Sequence, residues 1–347
     1  MKVKKFRATE GTPEKPGEPR ILGHLDYLER LCTGKDTDKA YSDKDFRKRK
    51  LAEVTYFRLK GYAVTLTNTL KEIRQKDPSF HKKDISFETV CRVYDCDAQL
   101  RELLLRVLQR IEIHLRASMS NFHAQQYGPY GYLDMSIYDY QRPEIYNHSA
   151  FLKGIAKAVE KNKGNYPFVK HYLKKYDGIM PIWVLSELMS FGDLVHFYKN
   201  WTETARTAFL SNVLYKDHPG KPDSATHPED YKRFTTWLDS SFTSWLDACR
   251  ILRNVCAHCG QLYGQRFSWT PKIPREIPKP AGSSLPLWAS VLAAEFLYPD
   301  EAEWKASVTL RLKTILHSVS EADYPTLRIG LGFPENWDEQ LEIWWNM

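Results

Sequence analysis

The sequence contains no apolar run that approaches the roughly 18 residues needed for a membrane-spanning helix. It also lacks the apolar segment of a signal peptide near its N-terminus. We therefore expect a protein that works in the cytoplasm and does not associate with a membrane. No internal repeat with a period of about 20–50 residues is visible, which argues against solenoid and propeller folds.

Cysteine is scarce and poorly arranged for metal binding. The 347 residues include 6 cysteines, a number that suits a reducing compartment. Cys256 and Cys259 flank His258, but no second CxxC pair is present to complete a zinc site. On a helix, both thiols would also point away from His258. Buried structural thiols are the better interpretation and a zinc enzyme the poorer one, so we expect no metal and no other cofactor.

Strand-type alternation of apolar and polar residues does not persist anywhere in the sequence. Helical spacing does persist, and we predict an all-α fold. The helical patterns cover residues 98–126, 148–162, 167–176, 182–199 and 237–266, and residues 24–75 predict two helices broken near Gly34.

Composition divides the chain into four regions. Residues 1–20 form a basic, Pro- and Gly-containing tail that is expected to be disordered, and residues 21–95 form an N-terminal helical region. Residues 96–267 form a helical core. Five prolines within 268–287 predict a wrapping loop, which joins the C-terminal helices in a region spanning 268–347. We expect the last three regions to pack as one globular unit. The net charge of +7 suits a polyanionic partner.

The segment 237–266 concentrates phosphate-handling and proton-transfer groups on one helix face. Ser240 or Ser241 can cap its start and Gly264 can end it. One broad arc is apolar and would face the core, and the other arc carries the polar residues. These are Arg250, Arg253, Asn254 and His258.

Arg253, Asn254 and His258 are our candidate catalytic residues. An arginine can hold a phosphate, and a histidine titrates near neutrality and can move protons. Asn254 lies one helical turn before His258 and can orient its imidazole. The alternative is a solvated helix face that happens to carry an arginine and a histidine, because this spacing alone is a weak pattern.

A second helix, within residues 98–126, could complete the site. Arg101, Glu112, Arg116 and His123 line one edge of its apolar stripe. Glu112 and Arg116 are one turn apart. In one interpretation they simply form an exposed ion pair and have no part in the site. In the other interpretation, Glu112 fixes Arg116 beside the motif helix, so that Arg116 or His123 joins Arg250 in binding phosphate. We also name RNA-binding candidates in and after the basic run 44–50, namely Lys48, Arg49, Lys50 and Arg58.

The order of residues Arg253, Asn254, Ala257 and His258 resembles the R-N-x-x-A-H signature of HEPN-domain ribonucleases. From about residue 24 onward, the chain resembles the bacterial abortive-infection family of the AbiD/AbiF type. The segments that carry this resemblance, in shared order, are 56–62, 94–95, 100–101, 111–116, 127–128, 181–192 and 332–337.

This resemblance implies a HEPN-like helical bundle in the core, elaborated with N- and C-terminal helices. It implies a phage-defence endoribonuclease that needs no metal and in which the RNA 2′-OH attacks the neighbouring phosphate. It further implies a homodimer with composite sites, and such a toxin could be restrained by a cognate small RNA. Two other classes stay open: a non-catalytic RNA-binding module and a protein–protein adaptor.

Overall fold

The computed structural model describes residues 18–81, 84–139, 147–218, 220–267, 269–275, 277, 286–341 and 343. These residues form helices and no strand, so the prediction of an all-α fold is confirmed. Residues 18–20 belong to the first helix, contrary to the prediction of a disordered tail up to residue 20. Residues 1–17 of that tail and most of 276–285 in the Pro-rich loop lie outside the described residues.

The helices follow one another along the chain, and the longest connection joins α11 to α12. The α-helices are α1 (Glu18–Leu31), α2 (Lys39–Ser42), α3 (Lys44–Glu53), α4 (Tyr56–Lys76), α5 (Phe87–Tyr127), α6 (His148–Asn162), α7 (Pro167–Tyr176), α8 (Ile182–Leu185), α9 (Phe191–Asn200), α10 (Glu203–Phe209), α11 (Pro228–Ala257), α12 (Pro286–Phe296), α13 (Glu301–Glu303), α14 (Leu310–Leu316), α15 (Tyr324–Leu331) and α16 (Trp337–Gln340). Short 3-10 helices lie at Gly131–Leu133, Met135–Ile137 and Ser186–Leu188, and π-helical turns lie at Leu210–Leu214 and Trp304–Thr309.

The chain divides into two compact units. Of the described residues, the first comprises those from 18 to 98 together with 316–330, and the second comprises those from 99 to 315 and from 331 onward. The boundary that the sequence predicts at 95/96 lies close to this division. Residues 316–330, which we grouped with the C-terminal region, belong to the first unit. None of the helices within the described ranges combines the length and apolar character needed to cross a bilayer.

The core of the first unit forms along α4. Leu59, Tyr62, Leu66, Leu70 and Ile73 are buried at helical spacing. The Tyr62 hydroxyl donates a 2.6 Å hydrogen bond to the buried Asp97 carboxylate on α5. The predicted pair of helices over 24–75 is wrong in detail, since α1 to α4 occupy this region.

The core of the second unit forms around α11. Leu238, Phe242, Trp245, Cys249 and Leu252 are completely buried on one of its faces. Burial of each large apolar side chain of this kind stabilises the fold by roughly 1.5–3 kcal/mol. This face therefore fixes the direction in which the opposite, polar face of α11 points.

Polar contacts also hold α11 in place. Arg206 on α10 makes a bidentate ion pair with Asp239, with Nε–Oδ1 2.9 Å and Nη2–Oδ2 3.0 Å. The described part of the Pro-rich segment lies against the same helix, where the Trp245 indole donates to the Lys272 carbonyl at 2.6 Å. Neighbouring elements thus fix α11 from two directions.

The segment before α11 contains a break that positions α9. We predicted one helix over 182–199, interrupted near Gly192. Instead, α8 and the 3-10 helix end at Leu188, and α9 starts after Ser190. The Ser190 hydroxyl accepts from the Asp193 N–H, and the Asp193 carboxylate accepts from the Ser190 N–H, which forms a capping box. Gly192 lies inside α9, so the interruption comes from the cap rather than from the glycine.

Candidate functional site

The C-terminal end of α11 presents His258 to solvent. The helix ends at Ala257, and His258 caps it with its N–H donating to the Asn254 carbonyl at 3.0 Å. Cys259 adopts a left-handed conformation (φ 53°), and the Gly260 N–H bonds to the Val255 carbonyl at 2.8 Å. These bonds form a Schellman motif, which satisfies the last carbonyls of a helix. The predicted end at Gly264 is therefore wrong, and the imidazole lies at the rim of the helix end.

Arg253 lies one turn before this end, within reach of a carboxylate from α5. Its Nε is 3.7 Å from Glu112 Oε2. The other Glu112 oxygen accepts a 2.8 Å hydrogen bond from Arg116 Nη2. The Glu112 and Arg116 side chains are largely buried, whereas Arg253 is about a third exposed. One carboxylate thus faces two guanidinium groups, and the cluster carries an excess positive charge on its solvent side.

Further contacts connect α5 to the site. Arg116 Nη1 donates to the Ser186 carbonyl in the 3-10 helix after α8. Arg101 is buried, and its Nη1 donates to the Gly260 carbonyl in the turn that follows His258, at 3.4 Å. The edge of α5 that the sequence singles out therefore supports both Arg253 and the helix end. The interpretation of Glu112 and Arg116 as an exposed surface pair does not fit this burial.

Asn254 has a different contact from the one predicted. Its Oδ1 accepts a 3.4 Å hydrogen bond from Arg253 Nη1. The contact from Asn254 to His258 runs through the backbone carbonyl. The Asn254 side chain therefore orients the guanidinium rather than the imidazole.

A second charged cluster surrounds Arg250, the residue one turn before Arg253. Arg250 Nη2 is 3.7 Å from Asp247 Oδ1, and Lys199 on α9 binds Asp247 Oδ2 at 2.6 Å. His196 on α9 lies beside them. Burial, followed by the charges of Lys199 and Arg250, lowers the pKa of His196 below its usual value.

Sequence reasoning missed His196, Lys199 and Asp247 as neighbours of the motif. Nothing in the pattern of α9 alone distinguishes them from other polar residues on a helix. A signal could have come only from knowing that α9 packs against α11. The spacing of residues along one helix carries no information about which second helix faces it.

His123 does not belong to this surface. It is completely buried, and its ring lies 5.1 Å from those of Tyr127 and Phe197 and 5.9 Å from that of Trp201. Among the described residues, neither ring nitrogen has a hydrogen-bond partner. Burial lowers the pKa of His123 to about 4. The suggestion that His123 binds phosphate is therefore wrong, because a packed aromatic cluster encloses its ring.

The RNA-binding candidates lie in the first unit, and acidic neighbours neutralise part of their charge. Lys50 forms a 3.0 Å ion pair with Asp95 and lies over the Tyr94 ring. Lys48 is 3.5 Å from Asp45. Arg49 is exposed and Arg58 is half-buried. The basic run therefore offers less unpaired charge than its sequence indicates, and Lys50 is the weakest candidate of the four.

The cysteines next to His258 differ from each other. Cys256 is buried, as we expected of a structural thiol, whereas Cys259 is exposed. The early end of α11 explains this correction, since Cys259 lies in the turn and not on the apolar face. Burial raises the pKa of the more distant Cys91 to about 12, which keeps that thiol protonated.

Comparison with known proteins adds one finding. A family model described as Abi-like protein matches residues 49–264, more than half of the chain and a region that includes all of α5 and α11. No curated protein and no solved structure gives a significant match. The matched region ends just after the helix end that carries Arg253 and His258. On this match, the chain belongs to the Abi-like protein family, a family of abortive-infection proteins.

Proposed function

We propose that this protein is a phage-defence endoribonuclease that cleaves RNA without a metal ion. The observation that carries the proposal is that Arg253, which faces Glu112 together with Arg116, lies about one helical turn before the exposed His258 at the end of α11. Two guanidinium groups around one carboxylate leave a positive charge for a phosphate, and the imidazole can transfer protons next to it. Membership of an abortive-infection family supports the physiological role.

The reaction would be an internal transesterification. The RNA 2′-OH attacks its own 3′-phosphate, the bond to the 5′-oxygen of the next nucleotide breaks, and the products carry a 2′,3′-cyclic phosphate and a 5′-OH. His258 takes the proton of the 2′-OH or supplies one to the leaving oxygen. Arg253 stabilises the negative charge that accumulates on the phosphoryl oxygens, and Asn254 holds its guanidinium. Glu112 and Arg116 act as positioning residues.

The same chemistry favours a homodimer. The reaction needs one group to remove a proton and another to deliver one. His258 of each protomer could fill one of these roles in a composite site, in line with the pairing of motif helices that the HEPN resemblance implies. A cognate small RNA bound to the protein could restrain the site until infection.

Substitution of the two motif residues tests the proposal. We expect His258→Ala to lower RNA cleavage by about 10²–10⁴-fold and Arg253→Ala by about 10²–10³-fold, with loss of growth arrest in cells. His227→Ala and Arg233→Ala are matched controls, since both residues are exposed and lie at the other end of α11. Full cleavage by either motif variant would refute the assignment.

A non-catalytic RNA-binding module is the second candidate, because a guanidinium pair can hold phosphate without cleaving it. It predicts salt-dependent RNA binding by the purified protein with no strand scission under any condition. A protein–protein adaptor predicts no RNA affinity at all. Binding and cleavage measured on the same preparation separate the three.

A further inference from the structure

The segment that contains α6 and α7 holds most of the chain's excess positive charge. Residues 148–178 contain seven lysines against Glu160 and Asp177, which accounts for five of the net seven positive charges. All seven lysines are exposed. They are Lys153, Lys157, Lys161, Lys163, Lys170, Lys174 and Lys175.

The lysines lie away from the buried sides of the two helices. Phe151, Ile155 and Ala158 of α6 line a small cavity together with Leu185 and Leu188, so this side of α6 packs inward. Lys153, Lys157 and Lys161 follow each other at four-residue intervals on another side, with about 6 Å of rise between neighbours. Like charges at this spacing oppose each other and disfavour the helix. A bound polyanion would remove this repulsion.

Aromatic rings accompany the lysines. Tyr166, which precedes α7, is 47% exposed, and Tyr176, at its end, is 51% exposed. The Tyr176 ring also lies 5.3 Å from that of Tyr172 and 5.9 Å from that of His171. Single-stranded nucleic acids bind to basic surfaces that carry exposed rings, because the bases stack on the rings while lysines neutralise the phosphates. Such a surface tolerates many base sequences.

α6 and α7 belong to the same compact unit as the candidate site. α9 packs against both α6 and α11, and the Phe151 ring of α6 stacks on Phe197 of α9 at 5.4 Å. α6 also contacts the 3-10 helix at Ser186–Leu188, whose first carbonyl binds Arg116. One helix therefore separates the lysine surface from the motif helix.

We infer that α6 and α7 form a binding surface for single-stranded RNA that delivers the strand to the end of α11. The inference rests on the proposed function for the identity of the polyanion. An anionic lipid surface is the main rival partner for this basic segment, but binding to lipid would favour a broad apolar face beside the lysines. The exposed side of α7 offers only Leu173 and Tyr176 as large apolar groups. Exposed rings and exposed lysines, of which Lys163 pairs with Glu160, favour the polynucleotide.

The test measures binding of a 2′-O-methylated RNA strand, which cannot undergo attack by its own 2′-OH, by fluorescence anisotropy at several salt concentrations. We expect Lys153→Gln/Lys157→Gln/Lys161→Gln to weaken binding at least about tenfold and to reduce the slope of log Kd against log salt by about 2. The control, Lys39→Gln/Lys71→Gln/Lys76→Gln, removes the same charge from exposed positions of the first unit and should bind as the native chain does. A variant with arginine in place of Lys153, Lys157 and Lys161 keeps the three charges and should bind RNA as the native chain does.

The outcomes separate the two proposals. Unchanged binding by the folded glutamine variant would overturn the inferred surface. The inferred surface would also be overturned if the native chain bound vesicles of phosphatidylglycerol and phosphatidylcholine but did not bind RNA. Binding that needs the three lysines, in a protein that never cleaves unmodified RNA, would leave the surface intact and refute the nuclease.

Discussion

Single residues at the end of α11 decide what this site can do. Arg253 and His258 could be named as candidates from the sequence, because an arginine and a histidine on the polar face of one helix are visible in its periodicity. Only the pairing of Glu112 with Arg116 could be anticipated from sequence, and the contact from Glu112 to Arg253 could not, because it joins residues 141 positions apart. The burial of His123 could not be predicted, since the rings that enclose it come largely from α9 and the residue after it.

Glu112→Gln tests the positioning role at this scale. The amide keeps the shape but removes the charge that attracts both Arg116 and Arg253, so the two guanidinium groups repel each other. We expect cleavage to fall about tenfold and the free energy of unfolding to fall by about 2 kcal/mol, because a largely buried guanidinium loses its charged partner. Urea unfolding and single-turnover cleavage measure the two effects.

Glu102→Gln is the matched control, since Glu102 is exposed on the same helix. Unchanged cleavage by Glu112→Gln would show that the carboxylate does not position Arg253.

His123→Phe tests burial against phosphate binding. The folded-state pKa of about 4 lies below the ordinary value of 6.5. The native state therefore binds the proton less readily than the unfolded chain, and the contribution of neutral His123 to stability is complete above pH 6.5 and lost as the pH falls towards 4. When the pH falls from 7.5 to 5, the free energy of unfolding should decrease by about 2 kcal/mol more for the native protein than for His123→Phe. Urea unfolding at the two pH values measures this difference.

Cleavage should be unaffected by His123→Phe at pH 7.5, because the ring has no access to the substrate. A large loss of cleavage in a His123→Phe variant of native stability would contradict this and show that His123 contributes to the site.

Helix bounds show where sequence patterns succeed and where they fail. The predicted spans 148–162 and 167–176 agree with α6 and α7, because Asn147 and Pro167 mark the starts and Gly164 and Gly178 follow the ends. The predicted span 237–266 is wrong at both ends. α11 begins at Pro228, followed by Glu229 and Asp230 in the first turn, and the serines chosen as caps lie inside it. Cap signals recur along a chain, and tertiary packing selects among them.

The turn after α11 gives a prediction at the scale of the element. A Cβ at Gly260 would lie 2.8 Å from Val255 Cγ1 and 3.2 Å from the Val255 carbonyl oxygen. Gly260→Ala should therefore shift the turn, lower the free energy of unfolding by about 1–3 kcal/mol and displace His258 enough to reduce cleavage. Thermal unfolding and cleavage rates are the measurements.

Gly154→Ala provides the opposite control, because nothing lies within 4 Å of its Cβ inside α6. It should stabilise the protein by about 0.5–1 kcal/mol. Equal stability of the two alanine variants would contradict the packing of the turn on Val255.

At the scale of the whole molecule, the proposed composite site makes the protein sensitive to inactive copies of itself. If each site needs His258 from two protomers, replacing nine tenths of the native chains by His258→Ala chains, at constant total concentration, leaves only about 1% of the activity after random exchange, whereas independent sites would retain about 10%. Cleavage rates of the mixture, with the same mass of an unrelated protein as control, distinguish the two. A retained tenth of the activity would contradict a shared site.

The net charge of the chain suits a polyanionic partner but does not indicate where such a partner would bind. Net charge is a sum over the molecule, and the sequence pattern drew attention to the run 44–50, where folding pairs Lys50 with Asp95. The lysines of α6, α7 and the residues between them are exposed, and few acidic residues lie within 148–178 to offset their charge. Only the packing of α6 on α9 reveals that this surface lies one helix away from the motif.

Analysis of the cleavage products tests the central claim most directly. Native protein, stripped of bound nucleic acid in high salt, is incubated in EDTA with an RNA and with its fully 2′-O-methylated counterpart. The proposed chemistry predicts cleavage of the RNA alone, with 2′,3′-cyclic phosphate and 5′-OH ends that disappear in His258→Ala. An uncut RNA, or equal cutting of both strands, would contradict it.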